Sequence, residues 1–177
     1  MRYVSLALTA MMVAINAGAA DQAVPATAIQ DARHGLLEHL TGHWVMRGTI
    51  SGKPTTHDVD AQWVLDKEYV QIHEISREKK PDGKPQYEAI IYVVWNHHSQ
   101  EYACVWMDTT DVASFPPEGV GHAEPAGDRM TFLFKDSDGG IHTTFTYDHA
   151  KDGWTWDIDN EAKGTLTPFA RLTLTRQ

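Results

Sequence analysis

One cysteine, Cys104, leaves this chain of 177 residues without an intramolecular disulfide, whatever compartment it occupies. Positive charge is scarce: 15 Lys and Arg stand against 24 Asp and Glu, a net charge of −9. That balance argues against nucleic acid and anionic lipid surfaces as partners, but not against a small neutral ligand. Nucleophile motifs are missing. There is no Gly-x-Ser-x-Gly turn, no phosphate-cradling glycine loop and no dinucleotide fingerprint. Beyond residue 20 no apolar run is long enough for a membrane-spanning helix, so no membrane insertion is expected.

The one apolar run lies at the N-terminus. Arg2 is a short positive region, Val4 to Ile15 is mostly apolar, and Ala17-Gly18-Ala19 is a small-x-small cleavage site. Residues 1–20 read as a secretory signal peptide and 21–27 as a loose tail. No cysteine follows the apolar run to take a lipid anchor. The expected product is a soluble bacterial protein, periplasmic or secreted, with residues 28–177 forming one domain.

Within that domain a helix is expected over Ala28 to Leu40, with Leu36, Leu37 and Leu40 as its apolar stripe and Gly42 as its stop. From Trp44 the period changes to two. Turn signals at Ser51 to Pro54, Asp66-Lys67, Pro81 to Pro85, Asn96 to Ser99, Pro116 to Gly119, Pro125 to Asp128, Ser137 to Gly140, Lys151 to Gly153 and Lys163-Gly164 divide the rest into short strands. The pattern predicts an all-β fold, a single antiparallel up-and-down barrel of about ten strands.

Alternation then sorts side chains by face. A turn at Asp66-Lys67 places Trp63 opposite Val70, Val59 opposite Glu74 and His57 opposite Ser76. Val59, Ala61, Trp63, Leu65, Val70 and Ile72 share the inner face with His57 and Glu74. In the next hairpin Val93 is expected opposite Tyr102, Ile91 opposite Cys104, Ala89 opposite Trp106 and Tyr87 opposite Asp108, all facing inward. Farther on, Met130 is expected opposite Tyr147, Phe132 opposite Phe145, Tyr147 opposite Trp156 and His149 opposite Trp154. In the last strand Leu166, Ala170, Leu172, Leu174 and Arg176 share a face. Closure of an even-stranded barrel brings Arg176 beside Trp44, for a cation–π contact worth ~0.5–2 kcal/mol.

The inward set defines a candidate ligand-binding interior: His57, Trp63, Glu74, Tyr87, Tyr102, Trp106, Asp108, Phe145, Tyr147, His149 and Trp156. Aromatic walls give area and a few polar tips give orientation. His57 and Glu74 stand about one cross-strand diagonal apart. A buried carboxyl beside a histidine is also the raw material of acid–base catalysis, which makes them the only catalytic candidates. Their alternative role is an ordinary hydrogen-bonded pair at a barrel mouth, and the alternative to a pocket is a filled core. Ten histidines invite a metal, but none cluster at ligand spacing and no metal is expected. Asp136-Ser137-Asp138-Gly139-Gly140 reads as a hairpin turn rather than a calcium loop, because Tyr147 occupies the twelfth position. Cys104 reads as a small core hydrophobe.

A helical lead-in, Gly42-x-Trp44 opening the first strand, an all-β meander and Arg176 closing the last strand resemble the calycin superfamily, which includes the lipocalins. Gly42, Trp44 and Arg176 would then close the barrel. The segments Ala61 to Val70 and Trp106 to Thr110, with Glu118-Gly119, resemble a family of secreted bacterial lipocalin-like domains of unknown function. Val94-Trp95-Asn96 stands where that family tends to have Gly-Tyr-Asp. Nitrobindin, a haem-binding relative, shares Gly42-x-Trp44-x-x-x-Gly48 in part. Its haem ligand is a histidine near the C-terminus, and no histidine follows His149 here. Haem is therefore not expected, nor is any other cofactor.

The resemblance implies a barrel with an internal pocket and no established activity. The leading expectation is an exported carrier of a small hydrophobic ligand. An isomerase or hydrolase using His57 and Glu74, and an interaction module with a filled core, are the alternatives. Ligand identity and oligomeric state stay open.

Overall fold

The structure, a computed structural model, describes residues 35–110, 119–137 and 139–177. A helical segment, α1, covers 35–40, so the expected helical positions 28–34, the signal peptide and the tail lie outside the described residues. Ten strands follow: β1 (Gly42–Ile50), β2 (Lys53–Val64), β3 (Tyr69–Ser76), β4 (Glu88–Asn96), β5 (Glu101–Asp108), β6 (Val120–Ala123), β7 (Arg129–Lys135), β8 (Gly139–Asp148), β9 (Gly153–Ala162) and β10 (Thr165–Arg176). Each pairs antiparallel with its sequence neighbour, and β1 pairs with β10 to close the barrel. Among the described residues closure leaves no free edge strand for another chain to extend.

Alternation holds through the strands. The core takes Val59, Ala61, Val70 and Ile72 from β2 and β3, and Ala89, Ile91, Val93, Tyr102 and Cys104 from β4 and β5. It takes Met130, Phe132, Phe145, Trp154 and Trp156 from β7 to β9, and Ala170, Leu172 and Leu174 from β10.

The β2–β3 register is the expected one, with Val59 opposite Glu74 and His57 opposite Ser76. Three other registers differ from expectation by two residues. Val93 pairs with Cys104, Met130 with Phe145, and Tyr147 with Trp154. The reason is where each turn falls. The Asn96 side chain accepts from the His98 and Ser99 amides, and Gln100 takes a positive φ of 58°, so the turn occupies 97–100 and the strands run to Asn96 and Glu101. A shift of two keeps every side chain on its face, so the inward set survives.

Leu65 and Leu166 do not join the core. Leu65 has φ 50° in a turn of three successive left-handed residues, Leu65, Asp66 and Lys67, and is 70% exposed. Leu166 is 54% exposed, because the register slips between Pro168 and Ala170. The extra residue reverses the alternation ahead of it.

α1 plugs one end of the barrel. Leu36, Leu37 and Leu40 are buried, and its terminal carbonyls are taken up by the barrel wall. Trp44 Nε1 donates to Leu40 O at 2.9 Å and Trp154 Nε1 to His39 O at 3.2 Å. Arg176 Nη1 donates to Thr41 O at 2.9 Å. Helix-end carbonyls have no partner within the helix, so two indoles and a guanidinium supply one. The Arg176 guanidinium also lies 4.2 Å from the centre of the Trp44 ring and pairs with Asp152 at 2.5 Å. Gly42, at φ 132°, lets Arg176 lie there, since a methyl group at that position would overlap the guanidinium.

Candidate functional site

The opposite end of the barrel carries the polar interior. β2 delivers Thr55 and His57 inward, β3 delivers Glu74 and Ser76, and the strand pair β4–β5 delivers Ala89 and Asp108, with Tyr87 just ahead of β4. Spacing of two along β2 and β3 puts each pair on one face. The diagonal across β2–β3 then brings His57 against Glu74. His57 and Glu74 are each only 2% exposed, and His57 Nδ1 contacts Glu74 Oε1 directly.

A chain of hydrogen bonds fixes where the protons lie. Glu78 accepts from the Thr56 amide at 3.1 Å and from the Thr55 hydroxyl at 3.2 Å. Burial works to raise the Glu78 carboxyl, but these donors and the nearby His57 hold it below the usual carboxylate range. Glu78 therefore acts as an acceptor, and the one Thr55 proton points to it. The Thr55 oxygen, 2.8 Å from His57 Nε2, must then accept from Nε2–H. That leaves Nδ1 with its lone pair toward Glu74 unless a proton sits between them. Two facing lone pairs repel, so the pair holds one shared proton, on either the carboxyl or the ring. Burial pushes the Glu74 carboxyl up; contact with His57 draws it down, and the charge of Asp108 adds to the rise.

In both arrangements Glu74 Oε2 is an acceptor. It is buried, and it accepts no hydrogen bond from the described residues. Trp156 Nε1 is likewise buried and donates none. An orphaned buried polar atom costs ~1–3 kcal/mol, so each calls for a partner.

The aromatic residues complete the surroundings. Tyr87 lies 5.7 Å, ring to ring, from His57. Its hydroxyl donates to Asp108 Oδ2 at 3.3 Å and accepts from Trp106 Nε1 at 3.0 Å. Burial, with Glu74 and Asp108 nearby, holds the Tyr87 phenol far above its ordinary range, so it stays protonated. Trp106 reaches across the interior to Trp156, 5.3 Å between ring centres, although β5 and β9 are not neighbours. Trp156 in turn stacks on Phe145 at 4.5 Å. Together these three rings form a floor beneath the polar mouth.

The expected site residues thus divide. His57, Glu74, Tyr87, Trp106 and Asp108 gather at the mouth, and Phe145 and Trp156 supply the floor. The other four lie at the α1 end. Trp63 Nε1 donates to Glu38 at 2.5 Å, and Tyr102 packs edge-on against Trp95. Tyr147 stacks on His39 at 4.3 Å and donates to Asp152. His149 is no wall residue. The β8–β9 turn occupies 149–152, and His149 sits on it, exposed and paired with Asp128 at 2.9 Å. Thr55, Ser76 and Glu78 belong to the mouth but were not among the expected residues. Thr55 had a signal, its spacing of two from His57. Glu78 had none, because it returns through the irregular segment between β3 and β4.

Among the described residues no group of three or more His, Cys, Asp or Glu side chains is placed to hold a metal ion. Cys104 is buried at mid-barrel, and burial pushes its thiol well above the ordinary range. No protein-family model matches the chain, and no curated protein sequence matches it.

Proposed function

We propose that the protein is an exported, lipocalin-like carrier that binds a small, mainly apolar ligand at the mouth ringed by β2 to β5. One observation carries this reading: Glu74 Oε2 and Trp156 Nε1 are buried on the inner wall without partners among the described residues, while the groups around them are hydrogen bonded. A ligand that offers one donor and one acceptor satisfies both. The Trp106–Trp156–Phe145 floor supplies apolar contact area.

Native mass spectrometry of protein prepared without denaturation, beside His57→Ala, tests the proposal. A retained small molecule that is weakened in the variant supports it. An apo mass, together with tryptophan fluorescence unmoved by the neutral dye Nile red, overturns it. Export is tested by the N-terminus of the mature protein, expected next to Ala19 or Ala20.

A second reading, acid–base catalysis, draws on the proton shared by His57 and Glu74 in a water-poor site. It predicts that the bound molecule is recovered chemically changed after prolonged incubation. Recovery unchanged leaves the carrier.

A further inference from the structure

We propose that the ligand's head group is a cationic amine, carried on an aromatic body, and not a carboxylate. This rests on the binding reading above. It comes from the sign and hydrogen-bonding sense of the mouth.

The buried polar side chains among the described residues are His57, Glu74, Ser76 and Thr143, with no lysine or arginine among them. An anionic head would therefore enter without a cation to receive it. It would also face Asp108 and Glu78. The pair His57–Glu74 is neutral overall, since it holds one proton between one base and one carboxyl. The mouth as a whole is then net negative, and that field favours a cation and repels an anion.

The sense of the hydrogen bonds agrees. Glu74 Oε2 accepts in either protonation arrangement and has no donor among the described residues. Among the described residues Asp108 Oδ2 receives the 3.3 Å bond from Tyr87. Glu74 Oε2 needs a donor, the half-buried Asp108 Oδ2 can accept another, and an ammonium offers three. The Tyr87 and Trp106 rings lie alongside, and aromatic faces attract a cation. Below them the Trp106–Trp156–Phe145 floor suits a flat ring. Trp156 Nε1 asks that ring to carry an acceptor.

Three probes of one shape decide the matter: 2-(1-naphthyl)ethylamine, 2-(1-naphthyl)ethanol and 1-naphthylacetate, each competing with Nile red at pH 7. The expected result is that the amine binds at least about tenfold tighter than the carboxylate, as one charge-assisted hydrogen bond would give. Glu74→Gln and Asp108→Asn should each shrink that ratio several-fold, with amine and carboxylate compared within each variant against that variant's own affinity for Nile red. Asp108 is only half-buried, so its variant stands if the Glu74 variant fails to fold. A tighter carboxylate overturns the inference. So does an alcohol equal to the amine, which would remove the role of charge. Dye binding that no probe displaces refutes the amine and leaves the carrier. If neither dye nor probes bind, both readings fall.

Discussion

Replacing Glu74 by glutamine changes one atom and should change how stability depends on pH. The folded wild type holds one proton between Glu74 and His57, whichever of them carries it. In the unfolded chain Glu74 releases its proton above about pH 4.3, the reference value for glutamate. Relative to Glu74→Gln, whose residue 74 carries no titrating proton, folding of the wild type above that pH therefore takes up one proton more. The stabilisation is fully present below the unfolded pKa and is lost as pH rises toward the raised pKa of the folded carboxyl. In Glu74→Gln the amide N–H₂ donates to His57 Nδ1 with no proton needed, and the His57 contribution of the unfolded chain cancels between the two proteins. The difference in stability should then move against the wild type by up to ~1.4 kcal/mol per pH unit, or up to ~2.7 kcal/mol between pH 5 and pH 7. Urea unfolding of both proteins at half-unit steps measures it. A flat difference, or one that favours the wild type as pH rises, would mean that the pair carries no proton, and the proton assignment would fall with it.

Other perturbations probe the frame. Gly48 has φ 155°, and a Cβ there would run into the Arg171 carbonyl; Gly48→Ala should destabilise the β1–β10 seam by ~2–4 kcal/mol, with a matching fall in thermal midpoint. Arg176→Ala should cost ~1–3 kcal/mol in urea unfolding, since the Trp44 contact and the caps on α1 go together. Arg176→Lys should recover only part of it, because an ammonium cannot fill the same fork of partners. Lys67→Gly, at φ 64° on the exposed β2–β3 turn, should stabilise by ~0.5–1 kcal/mol. Cys104 should resist a thiol reagent in native buffer and label at the rate of unfolding in denaturant; fast native labelling would contradict its burial.

The face of each strand was legible because alternation depends only on parity, and a register error of two leaves parity intact. Trp106 and Cys104 were placed inward correctly, although both were paired with the wrong partners. The His57–Glu74 meeting was readable because the β2–β3 turn is symmetric about Asp66-Lys67, so counting back from it gives the true register. What alternation could not reveal were local departures from it. The slip beside Phe169 turned Leu166 outward, and the left-handed turn did the same to Leu65. Nor could a list of inward residues show depth. Tyr147 and Tyr87 have the right parity, yet one sits against α1 and the other at the mouth.

Closure between β1 and β10 also sets the order in which the fold can be completed. Trp44 and Arg176 lie across nearly the whole described chain, and their strands pair along seven residues from Trp44 to Ile50. During synthesis, an arrangement of nine strands has two raw edges, β1 and β9, and an α1 plug whose carbonyls lack the Arg176 cap. Such an intermediate gains little until the last strand arrives, and it exposes backbone that neighbouring molecules could extend. The chain is therefore built to finish folding late, as a whole, after its final strand is free to move.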